Sequence, residues 1–149
     1  MSFIHLRVAS AYSFKYGTTQ PRDLVARASE LEMPALALTD RDGLAGAIRF
    51  TKAAVAHGIA PIIGVNLAIR IGDTSGALPR VTVLAHGDGG WRSLVRLMTG
   101  LQMNSPDRTP VLTPELLEKF SSYTSQLHLL HGPESPVSQE LATHRFDAA

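Results

Sequence analysis

The sequence predicts an α/β fold with a mainly parallel sheet. Short apolar runs of strand character alternate with segments whose apolar residues recur at helical spacing, the order expected of successive β/α units. One of these runs, Ala35-Leu36-Ala37-Leu38, is apolar at every position, as a strand covered on both faces requires. The 149 residues, 44% of them hydrophobic, are enough for the core of one domain.

Taken in order, Phe3-Ile4-His5-Leu6-Arg7-Val8 alternates with period two, placing Ile4, Leu6 and Val8 on one face, and is expected to be a strand. Gln20-Pro21 then opens a helix to about Glu32, because proline suits the first turn and Leu24, Val25, Ala28 and Leu31 form a stripe. The apolar run at 35–38 ends in Thr39-Asp40. Asp42-Gly43 marks a turn, and the next helix carries Leu44, Ala47, Ile48 and Val55 on one side before Gly58 closes it. Ile59 to Ile71 is β-rich, with Gly64 marking either a bulge or a close approach, and Gly72 to Pro79 reads as an exposed loop.

Val81 to Leu84 is a further short strand, punctuated by Gly87-Asp88-Gly89-Gly90. Trp91, Leu94, Val95, Met98 and Leu101 then define an amphipathic helix. The polar stretch 104–110 is the expected flexible connection. Thr113-Pro114-Glu115 opens a short helix to about Phe120, Gln126 to Leu130 is a last core strand, and Ser138 to His144 a final short helix.

Composition narrows the function. Lys and Arg total 14 against 13 for Asp and Glu, a formal charge of +1, so no global field draws in nucleic acid. The absence of cysteine excludes disulfides, thiolate zinc sites and a cysteine nucleophile. No apolar run approaches the length that spans a bilayer, and Met1 to Val8 lacks a signal-like apolar core, so the expectation is a cytoplasmic chain without membrane contact. In a parallel α/β sheet the functional residues stand at the carboxyl ends of strands, which directs attention to Arg7–Ser13, Thr39–Gly43, Asn66 and His131–Glu134.

Those positions also carry a resemblance. The opening Phe3 to Ser13 with Gly17, then Met33 to Asp40, Gly43-Leu44, Gly58 to Val65, Val83-Leu84-Ala85 and Gly90 to Leu94, in this order, resemble the amino-terminal part of the PHP domain of bacterial DNA polymerase III alpha subunits, replicative or error-prone. The resemblance implies a distorted β/α barrel, here partial, because the family's domain is longer than this chain. It further implies, for members with an intact site, several metals and phosphoesterase or exonuclease chemistry.

The ligand positions have changed, however. Where the family has a His-x-His pair this chain has Arg7 and Ala9, and where it has Thr-Asp-His the chain has Thr39-Asp40-Arg41. Asn66 replaces the expected Glu, and His131-Gly132-Pro133 stands for a later Ser-Gly-Cys. Arginine stays protonated and alanine has no donor atom, so neither binds a metal. Asp40 is the one carboxylate retained, and Arg7 and Arg41 are expected to pair with it in place of the metals.

The expected function is accordingly a non-catalytic structural or interaction module of DNA replication or error-prone repair synthesis, with no metal or other cofactor. Its expected partners are other replication or polymerase subunits, or a second copy, since an unclosed sheet exposes strand edges. The alternative is a metal-dependent phosphoesterase, using zinc or manganese at a rearranged site of His5, Asp40, Asn66 and His131. A truncated gene product is a third reading. Against these, His5 is expected as a hydrogen-bonded strand residue, and Asp42 as a solvated turn residue.

Overall fold

The computed structural model describes residues 3–72, 76–105, 109–119 and 126–138. The elements follow in the order α1 (Pro21–Glu30), β1 (Ala35–Arg41), α2 (Ala47–Ala56), β2 (Ala60–Ile69), β3 (Arg80–Ala85), α3 (Gly87–Asn104), β4 (Val111–Leu112), α4 (Pro114–Lys119) and β5 (Leu127–Leu130). The strands form one open sheet in the order β1-β2-β3-β5, with β4 pairing on the β1 edge of β2, beyond the end of β1. The predicted helix at 138–144 lies, except for Ser138, outside the described residues, as do parts of the connections at 72–79 and 104–110.

The sheet is mixed rather than mainly parallel. β1 pairs with β2 in parallel, as does β4, whereas β3 runs antiparallel to both β2 and β5. The reason lies in the connections. α2 gives the chain the crossover that a parallel neighbour needs, while the link from Ile69 to Arg80 carries no helix among its described residues and returns the chain directly as a hairpin.

The predicted first strand is also different. Residues 3–8 bend at Leu6 and make no ladder: the His5 and Val8 carbonyls accept from Ala37 and Thr39 N–H. Those acceptors are three residues apart while the donors are two apart, so the register slips by one residue between them. The Val8 N–H then turns to the Thr39 hydroxyl, at 3.0 Å, instead of a backbone carbonyl. Phe3, Ile4 and Leu6 are left exposed, and of the period-two pattern Val8 alone packs against the core.

Strand alternation combined with the register sorts the side chains onto two faces. Leu36, Leu38 and Asp40 share a face with Ile63, Val65, Leu67 and Val83. The helices pack on that side in two groups, Val25, Ala28, Phe50 and Ala54 of α1 and α2 against Leu36 and Leu38, and Leu94, Leu97, Met98 and Leu101 of α3 against Val65, Leu67 and Val83. The opposite face carries Thr39 and Arg41 of β1, Gly64 and Asn66 of β2, and Arg80, Thr82 and Leu84 of β3. One face of the sheet is therefore an apolar core and the other, toward the carboxyl ends of β1 and β2, is polar.

Candidate functional site

Asp40 closes the carboxyl end of β1 on the helix-covered face and is 2% exposed. A charge there is tolerated only if its oxygens are filled by donors. They are: Oδ1 accepts from the Ser10 N–H at 2.6 Å and the Ser13 hydroxyl at 2.7 Å, and Oδ2 from the Ser10 hydroxyl at 2.9 Å. The loop from Ser10 to Gly17 is wound tightly enough to present both serines, with Tyr16 and Gly17 N–H groups donating to the Ser13 carbonyl. Only glycine fits at position 17, since a Cβ would run into the Ser10 carbonyl. Asp40 thus holds the loop to the sheet, and the expected pairing with Arg7 and Arg41 does not form.

The arginines lie on the other face. Arg7 Nη2 meets Glu134 Oε2 at 2.7 Å, and Arg41 Nη2 reaches the same carboxylate at 3.3 Å. The Arg41 guanidinium stacks on the Tyr16 ring, 3.6 Å from its centroid, while its Nε is shielded from solvent and has no hydrogen-bond partner among the described residues. Beside them Arg80, only 12% exposed, ties three strands' ends together. Its Nε donates to Asn66 Oδ1 at 2.5 Å, and its Nη2 donates to Asp42 Oδ1 at 2.6 Å and the Asn66 carbonyl at 2.7 Å. Asn66 Nδ2 in turn donates to the Thr82 hydroxyl at 3.2 Å. The Arg80 N–H donates to the Glu134 carbonyl, fixing the segment that bears Glu134 to β3.

A pocket of about 150 Å³ opens between Arg7, Ala9, Tyr16, Thr39, Arg41 and Asn66. It gathers Arg7, Ala9, Arg41 and Asn66, four of the positions where the resemblance leads one to expect ligands, but neither Asp40, which faces away across β1, nor His131 to Pro133. The alternative set is dispersed. His5 stacks edge-on against Phe3 and lines an apolar depression with Leu24, Leu31 and Leu36, and His131 is exposed. Among the described residues no three of His, Asp and Glu stand close enough to hold a metal. The pocket's own groups do not fit one either: two guanidinium cations, a methyl group and an amide oxygen already taken by Arg80.

Several of these participants escaped the sequence. Asp42, read as a solvated turn residue, sits at φ 60° and anchors Arg80. Arg80 stands just before the predicted strand 81–84, at an amino end, where a parallel sheet places no function. The antiparallel course of β3 brings that beginning beside the carboxyl end of β2. Glu134 lay within a window worth searching, but nothing local identifies it as the arginines' counterion.

Against this geometry the comparisons with known proteins are decisive about family. The model of the PHP domain matches residues 5–149. The chain belongs to the PHP domain family. It is 40% identical to the error-prone DNA polymerase of Corynebacterium efficiens over 81% of this chain and 11% of that protein. It is 37% identical to the DNA polymerase III subunit alpha of Bacillus subtilis over 70% of this chain and 9% of that protein. The chain thus spans about a tenth of the length of these relatives. Among solved structures, an amidohydrolase from Chromobacterium violaceum, with bound sulfate and no metal, aligns with a TM-score of 0.53 and 24% identity over 67% of this chain and 33% of its own. A protein predicted to be a metal-dependent phosphoesterase, from Bifidobacterium adolescentis, aligns at 0.51 and 23% over 80% of this chain and 37% of its own. These two share the fold of this PHP domain. No helix among its described residues is long and apolar enough to cross a membrane.

Proposed function

We propose that this PHP domain is non-catalytic and serves a structural or interaction role beside bacterial DNA synthesis, replicative or error-prone, in the cytoplasm. The observation that carries the reading is a pocket lined by Arg7, Ala9 and Arg41, where the resemblance leads one to expect metal ligands, with the two arginines bound to Glu134. Such a cluster joins the residue 7, residue 41 and residue 134 segments through charge-assisted hydrogen bonds. The similarity to error-prone and replicative polymerases supports the setting. The sulfate-bound, metal-free amidohydrolase supports the view that this fold persists without metal. Its partners on this reading are polymerase or other replication subunits, or a second copy.

The test is metal content of the desalted protein by mass spectrometry, paired with hydrolysis of p-nitrophenyl phosphate. The expected result is no stoichiometric zinc, manganese or iron, no chelator-sensitive hydrolysis, and a Tm unchanged by chelation. Stoichiometric metal with hydrolysis lost on chelation would instead establish the phosphoesterase, and Asp40, Asn66, His5 and His131 would be the residues to substitute next.

A further inference from the structure

The helix-covered face of the sheet has an open seam of its own. α2 lies over β1 and β2 and α3 over β3, and between the two helices runs a groove of about 330 Å³. Its floor is Pro61 and Ile63 near the start of β2, one wall is Ile48 and Thr51 of α2, and the other is Asp88 and Trp91 of α3. Parity supplies the floor, since residues 61, 63 and 65 share the helix-covered face. Helical spacing supplies the walls, because residues 48 and 51, like 88 and 91, stand one turn apart. The arginine pocket lies at the other end of β2 and on the opposite face, and the two share no residue.

The lining is selective about what it can hold. Ile48 is 58% exposed, so a small free ligand would stay wetted on its outer side, whereas a side chain anchored in a partner brings its own cover. Asp88 is the one charged residue in the lining, and no lysine or arginine lines the groove with it. It stands in the first turn of α3, where the helix's N–H groups favour a negative charge, and takes part in no ion pair among the described residues. One turn on, Trp91 adds an indole, the aromatic ring that attracts a cation most strongly. An apolar trough that ends in an unpaired carboxylate and an indole is complementary to a cation carried on an apolar stem.

We propose that this groove docks an arginine side chain of a partner protein. The methylene stem lies along Ile48, Pro61 and Ile63, the guanidinium plane rests on the Trp91 ring, and its N–H groups donate to the Asp88 carboxylate. Lysine supplies the charge but neither the planar stack nor the forked donors. The inference names a surface for the interaction role proposed above and rests on that reading.

The experiment is titration of the full chain with the peptide acetyl-Leu-Arg-Leu amide, read by the emission of Trp91, the chain's one tryptophan. A saturable change is expected. The same peptide with citrulline for arginine, which keeps the shape and loses the charge, should bind at least about tenfold more weakly, as should the arginine peptide to Asp88→Asn. The lysine peptide should bind severalfold more weakly. Absence of a saturable change, equal binding of the citrulline or lysine peptide, or binding untouched by Asp88→Asn would overturn the proposal. So would a Trp91 shift on concentrating the chain alone, which would seat a second copy in the groove. The citrulline comparison needs no variant, so it decides the matter even if Asp88→Asn disturbs the start of α3. Metal content and phosphoester hydrolysis, which test the non-catalytic reading, do not involve this groove, so the failure of one is distinguishable from the failure of the other.

Discussion

At Asp40 three donors converge on one carboxylate that has almost no access to water, and its effect on the fold follows from that count. Asp40→Asn keeps the size but removes the charge and turns an amide N–H₂ toward groups that also donate. Chemical denaturation should show a loss of about 1.5–3 kcal/mol, the range for hydrogen bonds to a charged group. Ser13→Ala, which removes one of the three donors and one acceptor of the Arg41 N–H, should cost about 1 kcal/mol in the same assay. Equal stability of Asp40→Asn and the unsubstituted chain would show that the serine loop is not fastened through this residue. The sequence singled out Asp40 but assigned it the wrong companions, since parity along β1 sends residues 40 and 41 to opposite faces and no local pattern reveals which face the serines approach.

Among the elements, the β2–β3 hairpin decides the site, because it delivers Arg80 to Asn66 and Asp42. Its closest approach is at Gly64, paired with Leu84, where a Cβ would lie 2.5 Å from the Val83 carbonyl. Of the two sequence readings of Gly64, bulge and close approach, the unbroken register of β2 selects the second. Gly64→Ala should therefore lower stability by about 1–3 kcal/mol, the usual cost of overpacking, measured by the midpoint of urea unfolding. At the far end of the chain, α4 begins as its sequence predicts, with the Thr113 hydroxyl accepting from the Leu116 N–H at 3.3 Å. Glu115 in its first turn is held below the usual carboxylate range, first by the Thr113 hydroxyl and then by its own backbone N–H. A lowered folded value means that the stabilisation is present above the ordinary carboxylate range and is lost as pH falls through the folded value. Thr113→Val should raise the Glu115 titration midpoint toward that ordinary range, observed by NMR of the side-chain carboxyl.

For the whole molecule the open sheet has consequences at its two ends. β1 is flanked by the extended 3–8 segment, whereas β5 pairs only with β3 among the described residues and leaves Leu129 half exposed. An apolar, unpaired edge invites another strand. Sedimentation velocity is expected to show concentration-dependent self-association, reduced by Leu129→Lys, which places a charge on that edge. A monomer at all concentrations would leave β5 covered by some other part of the molecule.

By itself the sequence determined the alternation of helices and strands from Pro21 to Asn104 and the placement of Asp40 at the end of a buried strand. Each of these is written in nearest neighbours: apolar spacing, and a proline or glycine where a helix starts or stops. Only the tertiary structure decided that the sheet is mixed, that residues 3–8 are no strand, that Arg80 enters the site from the start of β3, and that Glu134 rather than Asp40 answers the arginines. Strand direction and register are set by which long-range pairing buries the most apolar surface with its polar groups satisfied. A charge finds its partner across that pairing, not along the chain.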